Sequence, residues 1–229
     1  DSKTHLDEAE EKIFNITNES LKSKSGFKSI NELCGESVDR IEKLSESGSN
    51  ITGVATGFTK FDQQTTGLQK GDLIIIAGRP SMGKTSFAMN IAEYASLKND
   101  ATTAIFSMEM PGNQLSTRLL SSLGRIDQQH LRTGKLTDDD MPRLTNAVAL
   151  LSKANIFIDD SPALTPLDIR ARARRLKREK GALDLIVIDY MQLMRFSNSV
   201  ENRATELSEI SRSLKALARE LDVPVVALS

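Results

Sequence analysis

Residues 73–85 read LIIIAGRPSMGKT. The run Leu73 to Ile76 has the length and branching of a buried strand. It passes through Ala77 into Gly78, and Gly78 to Thr85 fit G-x-x-x-x-G-K-[ST]. A strand that empties into this loop and continues as a helix is the setting in which the pattern means phosphate binding. Backbone N–H groups in such a loop converge on an anion. Gly78 and Gly83 are expected to permit backbone angles and close approaches that a Cβ would block. The helix opening near Lys84 aims its dipole and unpaired N–H groups at the same charge. Gly78, Ser81, Met82, Gly83, Lys84, Thr85 and Ser86 are the expected nucleotide-binding set. Lys84 is expected to reach the β- and γ-phosphates, and the Thr85 hydroxyl to ligate magnesium. Behind the loop, Phe87, Ala88, Ile91, Ala92 and Ala95 recur at helical spacing, which gives one face for packing on a sheet.

From Gly57 onward, strand and helix patterns alternate, the mark of an α/β fold. The expectation is a mostly parallel, twisted sheet with helices on both faces. Its strands fall at 73–77, 103–107, 155–159, 184–189 and 223–228. Thr165, Pro166 and Asp168 form an N-cap, a proline at N1 and an acid at N3. Thr137 followed by Asp138, Asp139 and Asp140 suits another first helical turn. Upstream, Leu6, Ala9, Ile13 and Ile16 make residues 4–16 a short amphipathic helix. Residues 29–44 predict a second helix, weakened at Gly35, and 45–56 a linker. The expected division is 1–49 as linker helix and connecting segment, and 50–229 as the main domain.

A P-loop needs an acidic partner on a neighbouring strand. Leu185 to Ile188 is an apolar run suited to burial on both faces, and Asp189 follows it at the carboxyl end. Open α/β sheets place their ligands at that edge. Asp189 is therefore expected to hold magnesium, directly or through water. Hydrolysis also needs a group that orients water. Glu109 leaves the 103–107 strand, which is expected beside the P-loop strand. Spacing alone leaves Glu109 open between that role and a solvated surface position.

The chain has 229 residues, enough for one sizeable core and an appendage. A net charge of −1 gives no global attraction to nucleic acid, so any such contact has to come from local patches. The single cysteine, Cys34, excludes an internal disulfide and fits a reducing compartment. No apolar run is long enough to span a bilayer. The chain begins at Asp1 rather than Met, which suggests a fragment.

Four segments carry a specific resemblance: 56–92 around RPSMGKT, FSMEMP at 106–111, LIVIDYMQLM at 185–194 and SRSLKALARELDVPVVALS at 211–229. Together they resemble the successive motifs of DnaB-type replicative DNA helicases, within the RecA-like ATPases. The likeness covers nearly all of 50–229. It implies a hexameric ring that hydrolyses ATP with Mg²⁺, moves 5′ to 3′ on single-stranded DNA and unwinds duplex at the replication fork. It implies that Glu109 is the catalytic base and that Arg118 contacts nucleotide phosphates. The helix at 4–16 is similar to the linker helix that docks on the adjacent subunit in this family. Primase and a helicase loader are implied partners, and the cytoplasm the implied location. In the family, a glutamine that senses the γ-phosphate follows the VVALS strand, so a middle segment of a helicase is expected, poorly active alone.

Weaker signals stay open. Seven basic residues in 170–180 fit DNA, but the apolar face of Leu167, Ile169, Ala173 and Leu176 favours a surface or subunit-interface helix. Arg195 and Arg203, around a loop after the Asp189 strand, are DNA candidates against a plain solvated loop. A RecA-like recombinase or regulatory ATPase, or a non-catalytic nucleotide-binding and oligomerisation fragment, are the rival functions.

Overall fold

Residues 27–47, 50–194 and 203–229 are described by the computed structural model of the protein. The chain separates into two compact units, Asp1–Ser49 and Asn50–Ser229. In the first, the described residues form helix α1, Ile30–Ser47. It runs unbroken through Gly35 and continues past residue 44, where the sequence pattern ends it. Ile30, Val38 and Ile41 on this helix are exposed. The helix expected at 4–16 lies outside the described residues.

The second unit is built on five strands: β1 (Leu73–Ile76), β2 (Thr103–Ser107), β3 (Ile156–Asp159), β4 (Leu185–Asp189) and β5 (Val225–Leu228). Every pairing is parallel, in the order β1-β5-β4-β2-β3. All five residues of β4 are buried. Successive side chains point to opposite faces. Leu185 and Val187 join one apolar cluster with Ile105, Val226 and Leu228, under Ala88, Ile91, Ala92 and Ala95 of α3 (Lys84–Lys98). Ile186 and Ile188 join the other with Ala104, Phe106, Val225 and Ala227. That face is covered by Ile169 and Ala173 of α7 (Pro166–Lys180) and by Leu214 and Leu217 of α8 (Arg203–Leu221). Two covered faces explain why the strand is apolar throughout rather than alternating.

The strand order corrects the sequence expectation for both acids. The neighbour of β1 is β5, so β4 stands second from the P-loop strand and β2 third. Parallel pairing still brings all carboxyl ends to one edge. Helix α3 packs in one cluster with Ile105 of β2, Leu185 and Val187 of β4 and Val226 of β5, so it spans the strands between the P-loop strand and Asp189.

The remaining helices are α2 (Thr59–Thr65), α4 (Gly112–Gly124), α5 (Gln128–Thr133) and α6 (Asp140–Leu151), with a 3₁₀ turn at Met191–Leu193. The capping box of α7 forms as expected: Thr165 Oγ1 accepts from Asp168 N at 3.1 Å, and Asp168 Oδ2 accepts from Thr165 N at 3.0 Å. The Thr137 start is displaced. Helix α6 begins only at Asp140, whose carboxylate turns back to accept from Thr137 N at 3.0 Å and whose own N–H donates to Thr137 O at 3.0 Å, so residues 137–140 form a turn ahead of the helix. No described helix is long and apolar enough to cross a membrane.

Helix α2 leads the chain into β1 and is anchored by one buried acid. Asp62 is 5% exposed and accepts from Thr56 N at 3.0 Å, Thr56 Oγ1 at 2.7 Å and Gly57 N at 3.1 Å. Truncating it strands these donors. Asp62→Ala is expected to destabilise the domain by about 1–3 kcal/mol, read as a lower urea midpoint at unchanged slope.

Candidate functional site

The loop between β1 and α3 is open to solvent, with Met82 75% exposed. Ser81 (φ 64°) and Gly83 (φ 84°) take left-handed angles, and Gly83 caps α3. Gly78 does not, contrary to the sequence expectation. A Cβ built there would lie 3.4 Å from Lys84 Cδ, an ordinary contact. The strain of reversing the chain falls on Ser81 and Gly83 instead. Gly78 N donates to Ser229 O at 3.2 Å, which pins the start of the loop to the end of β5. Lys84 Nζ donates to the carbonyl oxygens of Gly78 and, at 2.8 Å, Ser229.

Asp189 ends β4 and is 3% exposed. Its Oδ2 is buried with no hydrogen-bond partner among the described residues. Burial pushes its carboxyl above the usual aspartate range. The Thr85 hydroxyl opposes that rise, Glu109 adds to it, and the charges of Arg118 and Lys84 oppose it. Lys84, Thr85, Glu109 and Arg118 thus all act on a single carboxylate, although they come from α3, the β2–α4 connection and α4. The β2 and β4 ends are locked together: Ser107 pairs with Asp189 in register, and Met108 N donates to Asp189 O at 2.8 Å. Ser107 Oγ donates to Met110 O at 2.7 Å and accepts from Met110 N at 3.2 Å, a tight turn that leaves Glu109 exposed. Arg118 Nε, like Asp189 Oδ2, is buried and unbonded among the described residues.

This donor set fits magnesium. Asp189 and Thr85 supply hard oxygens, and Oδ2 is a ligand atom with no other use. The described residues hold no cluster of three His, Cys, Asp or Glu side chains suited to a metal. One carboxylate and a hydroxyl match an ion whose other ligands are phosphate oxygens and water.

The other candidates divide. Arg203 pairs with Glu206 and donates to the Gln192 carbonyl, so its charge is engaged within the domain. Arg195 lies outside the described residues. Along α7, Arg170 and Arg174 share Glu220, Arg172 pairs with Asp159 and Arg175 with Glu179. Lys177 donates to Leu221 O at 2.5 Å, and Lys180 sits 4.7 Å over the Phe157 ring. Gln192 carries no sequence signal beyond its place in the LIVIDYMQLM segment. Its Nε2 donates to Ser229 Oγ at 2.6 Å.

A family model described as the DnaB-like helicase C-terminal domain matches residues 53–229. The chain belongs to the DnaB-like helicase family. It is 51% identical over 226 residues to the replicative DNA helicase DnaB of Buchnera aphidicola subsp. Schizaphis graminum, covering 98% of this chain and 49% of that protein. Against DnaB of Geobacillus stearothermophilus it is 52% identical over 225 residues, with the same coverage. Its fold matches a solved ATPase domain with a TM-score of 0.82 at 35% identity, over 89% of this chain and 72% of that one. It also matches a DnaB-like replicative helicase described with its interactions with primase, with a TM-score of 0.78 at 31% identity over 100% of this chain and 57% of that one. The chain spans about half the length of the curated relatives it matches. The DnaB resemblance and the RecA-like parallel fold expected from sequence are both met, and the recombinase alternative is not favoured.

A buried carboxylate with one oxygen unbonded costs the DnaB-like domain stability until a cation meets it. Asp189→Asn removes that charge. The variant is expected to raise the thermal midpoint of the nucleotide-free protein at neutral pH. It is also expected to abolish the further rise that magnesium with a non-hydrolysable ATP mimic gives the parent. An unchanged midpoint together with intact ligand stabilisation would remove Asp189 from the site.

Proposed function

We propose that this chain is the ATP-hydrolysing motor segment of a replicative DNA helicase, which moves 5′ to 3′ along single-stranded DNA as a hexameric ring. The observation that carries the reading is the convergence of Lys84, Thr85, Glu109 and Arg118 on the buried Asp189 at the carboxyl edge of a parallel sheet. Family membership and about half-length identity to named replicative helicases support it.

Phosphoryl transfer asks a protein for positioning and charge neutralisation more than for covalent chemistry. The loop amides of Gly78, Ser81, Met82, Gly83, Lys84, Thr85 and Ser86 hold the phosphates of ATP. Lys84 exchanges its carbonyl partners for phosphate oxygens. Thr85 and Asp189 hold magnesium, which when bound neutralises charge on the phosphate oxygens. Glu109 orients the attacking water and accepts its proton. Arg118 meets charge on the phosphates from the α4 side. A basic residue from a neighbouring subunit completes the site. Such an arginine in trans is worth about a thousandfold or more in related chemistry. The segment at 4–16 joins neighbours in the ring, with Arg195 as a channel candidate for DNA. Primase and a loader are the proposed protein partners, in the cytoplasm.

Two variants test the division of labour in ATPase and ATP-mimic binding assays with single-stranded DNA. Lys84→Ala is expected to lose mimic binding and at least about a hundredfold in turnover. Glu109→Gln is expected to keep mimic affinity within a few-fold and lose turnover by about 10²–10⁴. Parent-like turnover in either variant would defeat the assignment, and vigorous hydrolysis by a strictly monomeric sample would defeat the ring.

A further inference from the structure

A cleft of about 240 Å³ lies between α4 and α5, lined by Met110, Gln114, Thr117, Arg118, Gln128 and Arg132. Met110 directly follows Glu109, so the cleft adjoins the proposed hydrolysis site. Its polar lining is one-sided: two guanidiniums, two carboxamides and a hydroxyl, with no carboxylate. The guanidiniums and carboxamides can donate hydrogen bonds into the cleft, while the Thr117 hydroxyl already donates to Asn113 O at 2.8 Å.

Arg170, Arg172, Arg174, Arg175, Arg203 and Arg212 each have an acidic partner. Among the described residues, Arg118 and Arg132 are left out of ion pairs together with Arg79, Arg125, Arg143, Arg178 and Arg219, and Arg118 is set apart by its buried Nε, which has no acceptor. A buried guanidinium N–H without an acceptor is costly, and an oxyanion is the group its fork fits best. Of the nearby acids, Asp127 and Asp140 are committed elsewhere, while Glu109, next to Met110, is exposed. Asp127 accepts from Gln129 N at 2.7 Å. Asp140 Oδ2 bonds Thr137 N and the His130 ring, each at 3.0 Å. These same contacts clamp the short helix α5 and so fix where Gln128 and Arg132 stand. The volume falls below the roughly 300–1,000 Å³ of pockets for drug-sized ligands, and suits a tetrahedral oxyanion with a few waters.

We propose that this cleft is an inorganic phosphate site, in which Arg118 and Arg132 receive the phosphate released beside Glu109. The proposal rests on the ATPase reading above. Arg118 is the shared wall: its charge reaches Asp189 on one side, and it lines the cleft on the other. Arg132 belongs to the cleft alone. The site gives the product a place to stand once it leaves the P-loop, and makes its departure depend on α5.

The test titrates the protein with inorganic phosphate, followed by calorimetry or ³¹P line broadening, and separately with magnesium and a non-hydrolysable ATP mimic. Arg132→Ala is expected to weaken phosphate binding about tenfold or more, while mimic affinity stays within about threefold. Gln128→Glu places a carboxylate within the cleft and is expected to have the same effect, whereas Arg132→Lys recovers part of the affinity. In turnover assays the inhibition constant for added phosphate should rise by the same factor in Arg132→Ala. Phosphate binding unchanged in both Arg132→Ala and Gln128→Glu overturns the proposal, as does a loss of mimic affinity equal to the loss for phosphate. Loss of phosphate binding in Lys84→Ala alone also overturns it, since the anion would then occupy the P-loop. A protein that binds phosphate in an Arg132-dependent way but ignores the ATP mimic supports the cleft and refutes the ATPase reading.

Discussion

A carboxylate placed at the end of a strand covered on both faces is the constraint from which the domain is organised. Asp189 follows four apolar residues that fill both cores, so it cannot turn to water without dismantling β4. Its own sheet offers it little, since Oδ2 finds no donor among the described residues. The groups able to compensate come from elsewhere: the first turn of α3 brings Lys84 and Thr85, and α4 brings Arg118. An isolated acid in that position would simply lower stability. An acid facing a hydroxyl and two cations at the carboxyl edge of a parallel sheet is instead the mark of a functional site. The cost of the empty arrangement and the affinity of the filled one are then two readings of the same burial.

Much of this is legible in the sequence, because motifs and periodicity are local. The loop 78–85, the strand 185–189 and the cap at Thr165 each declare themselves within a few residues. Strand order does not, since an apolar run states that it is buried but not beside which partner. Hence spacing puts the acids at 109 and 189 next to the P-loop strand, whereas β5, last in the sequence, lies between. The angle requirement at Gly78 fails for a similar reason. The pattern marks a tight loop, while the division of positive φ between Ser81 and Gly83 depends on how the loop is tied to Ser229. Helix α2, seven residues long, rests on Asp62 and not on any strong periodicity. Arg132 belongs to no motif, and its interest comes only from the company it keeps across the cleft.

Charge counting is the weakest guide. Helix α7 reads as a basic stripe, yet Arg170, Arg172, Arg174 and Arg175 are paired with Asp159, Glu179 and Glu220, and Lys177 with a backbone carbonyl, which leaves Arg178 outside these pairs. Exposed pairs of this kind contribute little individually to stability, but they reduce the positive field a polyanion would meet along the helix. The unpaired arginines near the site are fewer and farther apart in sequence, and composition gives no hint of them. A local excess of charge is therefore less informative than a guanidinium that the fold has left without a partner.

The inserted strand β5 separates the P-loop strand from the Asp189 strand, yet hydrogen bonds from both sides meet at its end. Gly78 N and Lys84 Nζ donate to Ser229 O, while Gln192 Nε2 donates to Ser229 Oγ. Gln192 stands three residues beyond Asp189, and its own carbonyl accepts from Arg203 at the start of α8. One residue thus holds the start of the 78–85 loop and Lys84 on its backbone and the turn after Asp189 on its side chain. Lys84 cannot move onto a phosphate without giving up Ser229 O, and Ser229 cannot shift without pulling on Gln192. Strand insertion, which no local pattern reveals, is what makes the two halves of the site answer to each other.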